Sequence, residues 1–480
     1  MPEQQTSERQ NFMEKQKTAG QQLAETLLFD YQHIADAKPE TVQDCTAFCE
    51  DYKAFMNAAK TEREFVREAV ALLNAAGYTE YEPGKAYLPG EKVYFNNRGK
   101  ALMMTTFGTA PLEEGVHINI AHIDSPRLDL KARPLYEDGE LALFKTHYYG
   151  GIRKYQWTAI PLAIHGVFAK ADGTTVPFVI GEEESDPVFC VTDLLPHLGH
   201  EQDKRTLGGG IKGEELNVLV GSLPYEDKEL KERVKLFTLK LLNEKYGITE
   251  KDFVCAEVEV VPANRARDLG FDRSMIGAYG HDDKVCAYTA MRAELETKQP
   301  KYTTVTCFAD KEEIGSDGNT GLNSAFLFHY LQFLAEGAGA NYKKLIAHAK
   351  CLSADVNAAF DPTFPSVNEK NNVAHLGRGV VVTKYTGSGG KYGTSDASAE
   401  TMAYFTGMLD RHGVCWQTGE LGKVDEGGGG TVAKYVANQN IDVVDIGVPL
   451  LSMHSPFEVA SKLDVYMCYQ AFFAFLADEF

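Results

Sequence analysis

EGVHINIAHIDSP, residues 114–126, is the stretch on which the fold of this chain turns. Val116, Ile118 and Ile120 alternate with polar residues, the period of a β-strand, and the run stops at a polar end followed by Pro126. Such a strand carries His122 and Asp124 to its carboxyl end. A histidine and an aspartate two residues apart at a strand end are suited to ligand chemistry, because in open α/β sheets ligands collect outside the carboxyl ends of the strands.

The same pattern recurs downstream in TTVTCFA (303–309), KCLSADV (350–356) and DVVDIGVPLL (442–451), separated by helical stretches. In the last helix Val465, Cys468, Phe472, Phe475 and Leu476 form one stripe. Strands alternating with helices predict a layered α/β domain, three layers deep with a mixed central sheet. The first 75 residues read as helices. In TEREFVREAVALLNAAGY (61–78), Phe65, Val66, Ala69, Leu72 and Leu73 recur at helical spacing and end at Gly77. VYFNNRGKALMMTTFG (93–108) reads as a hairpin. Between them and the later strands, residues 131–252 are short, turn-rich segments followed by a charged helix (227–247), the texture of an inserted β-rich domain. The expected organisation is therefore a discontinuous domain, 1–130 with 253–480, interrupted by an insert at 131–252.

Each later strand also ends in polar residues. DKEEIGS (310–316) sets Glu312 beside Glu313, LSADVN (352–357) brings Asp355, and SMHSPFEV (452–459) brings His454. Asp282 and Asp283 open a helix with Val285, Tyr288, Met291 and Leu295 on one face. Taken singly each has an ordinary structural explanation: a helix N-cap, a core histidine, a solvated loop, a turn aspartate. Together, two histidines and several carboxylates on successive elements match the nitrogen and oxygen donors that zinc accepts. They are enough for a two-metal centre, which takes one bridging carboxylate and, on each ion, a histidine and a further carboxylate. One carboxylate must stay off the metals to move protons.

Composition narrows the alternatives. Acidic residues outnumber basic ones 68 to 48, a formal charge of -20, and no basic stretch offers a footing for nucleic acid. The polar first twenty residues lack the apolar core of a signal peptide, and no apolar run approaches a membrane span. Nine scattered cysteines without a C-x-x-C spacing fit a reducing, cytoplasmic setting, and Cys45 and Cys49, one turn apart, read as helix packing. HExxH, GxSxG and Walker patterns are absent.

In order along the chain, AHIDSPRLDLK, GHDDKVCAY, DKEEIGS, LSADVN and SMHSPFEV resemble the motifs of the M18 aminopeptidases, the aspartyl aminopeptidase group of the co-catalytic zinc exopeptidases. The resemblance spans essentially the whole chain. It implies a hydrolase that removes N-terminal residues from short peptides, with two divalent ions per chain, zinc first and cobalt or manganese as alternatives. It also implies metal ligands His122, Asp282 as the bridge, Glu313 paired with His454, and Asp355 paired with His122. Glu312 becomes the general base, and Asp124 the catalytic support that orients the His122 imidazole. Asp283 is left unliganded. DEGGGGTVA (425–433) resembles the family's substrate-side glycine turn, which makes Gly430 and Thr431 substrate-binding candidates. The family's insert implies dimers, and a tetrahedral dodecamer built from them. Aspartyl members carry a histidine in an LAIH-like stretch of the insert. The corresponding region here reads VPFVIGEEESD, and PLAIHGV with His165 lies earlier. A related deacylase or endo-acting hydrolase, or a noncatalytic assembly protein of the same fold, are the alternative readings.

Overall fold

The computed structural model describes residues 17–170 and 172–479. Residues 17–32 belong to a separate unit, whose helix Ala19–Leu27 begins at a capping box between Thr18 and Gln21. The larger unit begins at His33.

A nine-stranded mixed sheet forms its centre. Four neighbouring strands run parallel: Thr303–Ala309, Val116–His122, Lys350–Ala354 and Asp442–Gly447. Antiparallel and short strands extend both sides, including the hairpin Lys92–Asn97 with Ala101–Thr106. Because side chains alternate across a strand, Val116, Ile118 and Ile120 enter one core, while Ala121 and Ile123 enter the core on the opposite face. On that opposite face lie the helices Val42–Ala58, Glu62–Ala75, His281–Glu296 and Lys462–Ala477, and on the first Phe326–Gly337 and Tyr342–His348. The chain is therefore a three-layer α/β fold.

The strand Val116–His122 departs from its sequence pattern in one respect. Its polar positions His117 and Asn119 are as buried as its apolar ones. Alternation implies a wet face, but a central parallel strand is covered on both sides. His117 is accommodated by donating from Nδ1 to the Phe475 carbonyl at 2.9 Å and stacking on the Phe475 ring. In the helix Glu62–Ala75, Leu72 points outward at 40% exposure, whereas Phe65, Val66, Ala69 and Leu73 are buried.

A second sheet of seven strands draws on residues 127–262 and encloses its own core around Trp157, Phe168 and Phe253. Neighbouring strands in it pair antiparallel. The helix Arg233–Tyr246 packs on it through Val234, Leu239, Leu242 and Tyr246. A third sheet of five short strands includes Met275–Ala278, Pro449–Leu451 and Glu458–Ser461. Asp282 follows the first of these, and His454 lies in the loop between the other two. No helix among the described residues is long and apolar enough to cross a membrane.

Candidate metal centre

Parallel register explains why distant residues meet. Ala309 pairs with His122, and Ser353 with Ile120, so these strands finish at one level. Beyond it the chain leaves each strand with its polar residues: Asp124 after one, Glu312 and Glu313 after another, Asp355 after a third. Lys311 and Gly315, at φ of 67° and 97°, bracket the single 3-10 turn Glu312–Ile314. Asp282 arrives from the third sheet through Gly280 at φ 76°, where an added Cβ would sit 2.6 Å from the Lys284 ammonium. A side chain there would collide as well as strain the backbone.

Asp282 lies in the middle. Its Oδ1 is 3.2 Å from His122 Nε2, and its Oδ2 is 3.1 Å from His454 Nε2. Glu313 Oε2 stands 3.5 Å from the same His454 nitrogen. Donor atoms of His122, Asp282 and Asp355 form one compact group, and those of Asp282, Glu313 and His454 another, so one carboxylate is common to both. Glu312 belongs to neither group but lines the same cavity, of about 440 Å³, with Glu313, Asp355 and His454. Gly430 and Thr431 are on that cavity's wall, the Thr431 hydroxyl donating to Asp445 Oδ2 at 3.0 Å. Asp283 joins neither group, and both its carboxylate oxygens are buried without a hydrogen-bond partner.

The opposite nitrogens are held as well. His454 Nδ1 donates to the Gly151 carbonyl at 2.8 Å, and His122 Nδ1 to the Asp124 carbonyl at 3.0 Å, with Asp124 Oδ1 at 3.4 Å. Each imidazole thus presents Nε2 to the carboxylates, the tautomer a metal ligand needs. Asp124, fully buried, also accepts the backbone N–H of Glu312 at 3.1 Å and of Glu313 at 3.2 Å, and the Tyr149 hydroxyl at 2.8 Å.

Electrostatics single this spot out. Burial, with the nearby charges of Asp124 and Asp282 only partly offset by His122, pushes Glu312 up to about 7. Burial and then Asp282 hold Glu313 well above the carboxylate range, and burial and then Glu312 do the same for Asp355. For His454 burial opposes the charged form, but Asp282 and Glu313 outweigh it and raise the imidazole to about 11. Four carboxylates, Asp282, Glu312, Glu313 and Asp355, face only two imidazoles, and Glu313 Oε1 is buried with no partner. Hard and borderline divalent cations fit such a set of nitrogen and carboxylate donors.

Three contributors escape a reading of the sequence alone. The carboxylate of Glu458, 1% exposed, accepts the backbone N–H of Asp282 at 3.0 Å and of His454 at 2.6 Å, tying two elements together. An acid opening the buried strand EVAS was the available signal, since a buried carboxylate demands donors. Tyr149 ends a strand of the seven-stranded sheet and Gly151 lies in the bend just after it, and nothing in HYYGG (147–151) points toward a strand end elsewhere. His165, in contrast, sits apart, buried between Glu64 and Glu182.

A family model described as aminopeptidase I zinc metalloprotease (M18) matches residues 55–476. A probable M18 family aminopeptidase 1 from Clostridium acetobutylicum is 48% identical over 459 residues, covering 94% of this chain and 99% of that protein. The crystal structure of an M18 family aminopeptidase from Thermotoga maritima superposes with a TM-score of 0.90 at 45% identity, covering 94% of this chain and 100% of that one. The S. cerevisiae mApe1 dodecamer structure shares the fold at 19% identity and a TM-score of 0.73, covering 89% of this chain and 96% of that one.

Proposed function

The chain belongs to the M18 family and is a metal-dependent aminopeptidase, and we propose from that premise how its residues divide the work. His122 and Asp355 would hold one divalent ion and Glu313 and His454 a second, with Asp282 available to both. The observation that carries this division is the placing of one oxygen of Asp282 against each Nε2. When bound, a pair of zinc ions supplies Lewis acidity that acidifies water and polarises a carbonyl, with cobalt or manganese able to substitute.

Glu312 is the general base. It lines the same cavity as both ligand groups without joining either, a position from which a carboxylate can take a proton and give it back. It removes the proton from the attacking water, the carbon–nitrogen bond breaks, and Glu312 returns the proton to the departing amine. Asp124 keeps this carboxylate in place by accepting the backbone N–H groups of Glu312 and Glu313, and it orients His122. Gly430 and Thr431 form part of the wall along which the peptide lies.

The substrates are short peptides with a free N-terminus. Residues 131–252 act as an inserted dimerisation and access domain within the peptidase domain of 1–130 and 253–480. The mApe1 dodecamer supports a homo-oligomer, which we propose is built from such dimers, and we place the enzyme in the cytoplasm without nucleic-acid or membrane partners.

A peptide assay on the metal-restored enzyme tests the reading. Blocking the N-terminus of a good substrate should abolish cleavage; undiminished hydrolysis would mean an endo-acting enzyme. Metal analysis of the same preparation should give about two ions per chain, a number set by the ligand groups proposed here.

A further inference from the structure

The seven-stranded sheet reaches the metal centre at two points, and they are the two that orient the histidines. Tyr149, the last residue of its strand Leu141–Tyr149, donates its hydroxyl to Asp124 Oδ2 at 2.8 Å. Two residues later the Gly151 carbonyl accepts the Nδ1 hydrogen of His454 at 2.8 Å. Tyr149 is itself braced within the sheet. The Arg127 guanidinium lies 3.9 Å from the centre of its ring and pairs with Asp129 at 2.8 Å, Glu62 at 3.3 Å and Glu259 at 3.4 Å.

We propose that this sheet is a working part of the metal centre, with Tyr149 a positioning residue for His122 through Asp124, and the Gly151 carbonyl the positioning group for His454. The proposal rests on the ligand assignment given above and adds a role for the insert that dimerisation alone does not require. Both nitrogens that face away from the carboxylates are then fixed by groups carried on, or steadied from, one structural block. A shift of that block would turn both imidazoles at once. Partners that orient metal-binding histidines are worth about 10- to 100-fold in metal affinity or activity.

Two variants address the two contacts. Tyr149→Phe removes the hydroxyl and keeps the ring that Arg127 covers. Gly151→Ala keeps the carbonyl but puts a methyl 3.3 Å from His454 Nδ1, tighter than an ordinary contact, at a backbone φ that alanine tolerates. The metal-free full-length protein would be titrated with Co2+ alone, following binding and the visible Co2+ spectrum, with circular dichroism and particle size recorded alongside. Each variant is expected to bind Co2+ about tenfold more weakly with a shifted spectrum, and to lose kcat more than KM after Zn2+ loading, while fold and particle size stay as in the parent. If both variants take up Co2+ with the parent's affinity and spectrum, the proposal is overturned. It is equally overturned if affinity falls only where particle size falls, since the sheet would then act through assembly. Failure of the underlying assignment looks different: the parent itself would bind Co2+ as tightly after His122→Ala or His454→Ala.

Discussion

Two buried histidine clusters in this molecule use the same side chains to opposite ends. His165 lies with Nδ1 2.8 Å from Glu64 and Nε2 3.0 Å from Glu182, and Lys60 pairs with Glu182 at 2.6 Å. A charged imidazole and a lysine balance two carboxylates, and no oxygen of Glu64 or Glu182 is buried without a partner. At the metal centre two imidazoles face four carboxylates, and among the described residues no lysine or arginine pairs with Asp282, Glu312, Glu313 or Asp355. Burying uncompensated charge is costly. The cluster that supplies its own cations is finished as it stands, whereas the one that lacks them is built to receive ions.

The contrast breaks or sharpens under mutation. The largest effect is expected from Asp282→Asn, which removes the charge of the carboxylate common to both ligand groups and replaces one of its two oxygens with an NH2. The chelated variant should fail to take up two metals, and hydrolysis should fall by more than in any other variant here; retention of two tightly bound ions would end its role as the bridge. Glu312→Gln should keep about two metals by elemental analysis yet lose on the order of 10²- to 10⁴-fold in kcat, the range for a positioned acid-base. Near-normal turnover would take Glu312 out of the mechanism. In Glu458→Gln an amide must meet one of the two N–H groups with its own NH2. Calorimetric titration should show metal affinity weakened about 10- to 100-fold, and unchanged affinity would reduce Glu458 to a filler of the core.

His165→Ala should do the reverse: full metal uptake and little change in kcat, but a loss of about 3 to 5 kcal/mol of stability, since two buried carboxylates lose a partner. Its pH dependence has a definite sign. Burial opposes the charge on His165, but Glu182 and Glu64 outweigh it and raise its pKa, while for both glutamates, against burial, His165 lowers theirs. A raised histidine contributes its full stabilisation below its unfolded value of about 6.5 and loses it as pH climbs through the folded value. The lowered glutamates contribute above their unfolded value of about 4.3 and lose it on acidification. Denaturant melts should therefore show the widest gap between parent and variant between about pH 4.5 and 6.5, narrowing at higher pH; a gap that widens above pH 7 would contradict the charged-imidazole cluster.

Strand ends account for what was legible in the sequence. His122, Asp124, Glu312, Glu313 and Asp355 follow parallel strands whose period is visible, and a sheet brings such ends together by construction. Asp282 opens a helix and follows no readable strand, and His454 follows the run DVVDIGVPLL, which reads as one strand but divides into Asp442–Gly447 of the central sheet and Pro449–Leu451 of the third, whose strands of two to four residues have no readable period. Tyr149, Gly151 and Glu458 act through a hydroxyl, a backbone carbonyl and a carboxylate on other elements. Their roles depend on how sheets abut, a relation between distant segments that local pattern does not encode. The burial of His117 and Asn119 was hidden for the same reason: it depends on what covers the strand.

One carboxylate, Asp124, accepts the backbone N–H of both Glu312 and Glu313 while facing the ring of His122. The proposed proton carrier Glu312, the proposed ligand Glu313 and the His122 imidazole are thereby hung from a single peg. Thermal drift of the loop would move all three in company, and the distances between them, which set the chemistry, would vary less than the position of any one.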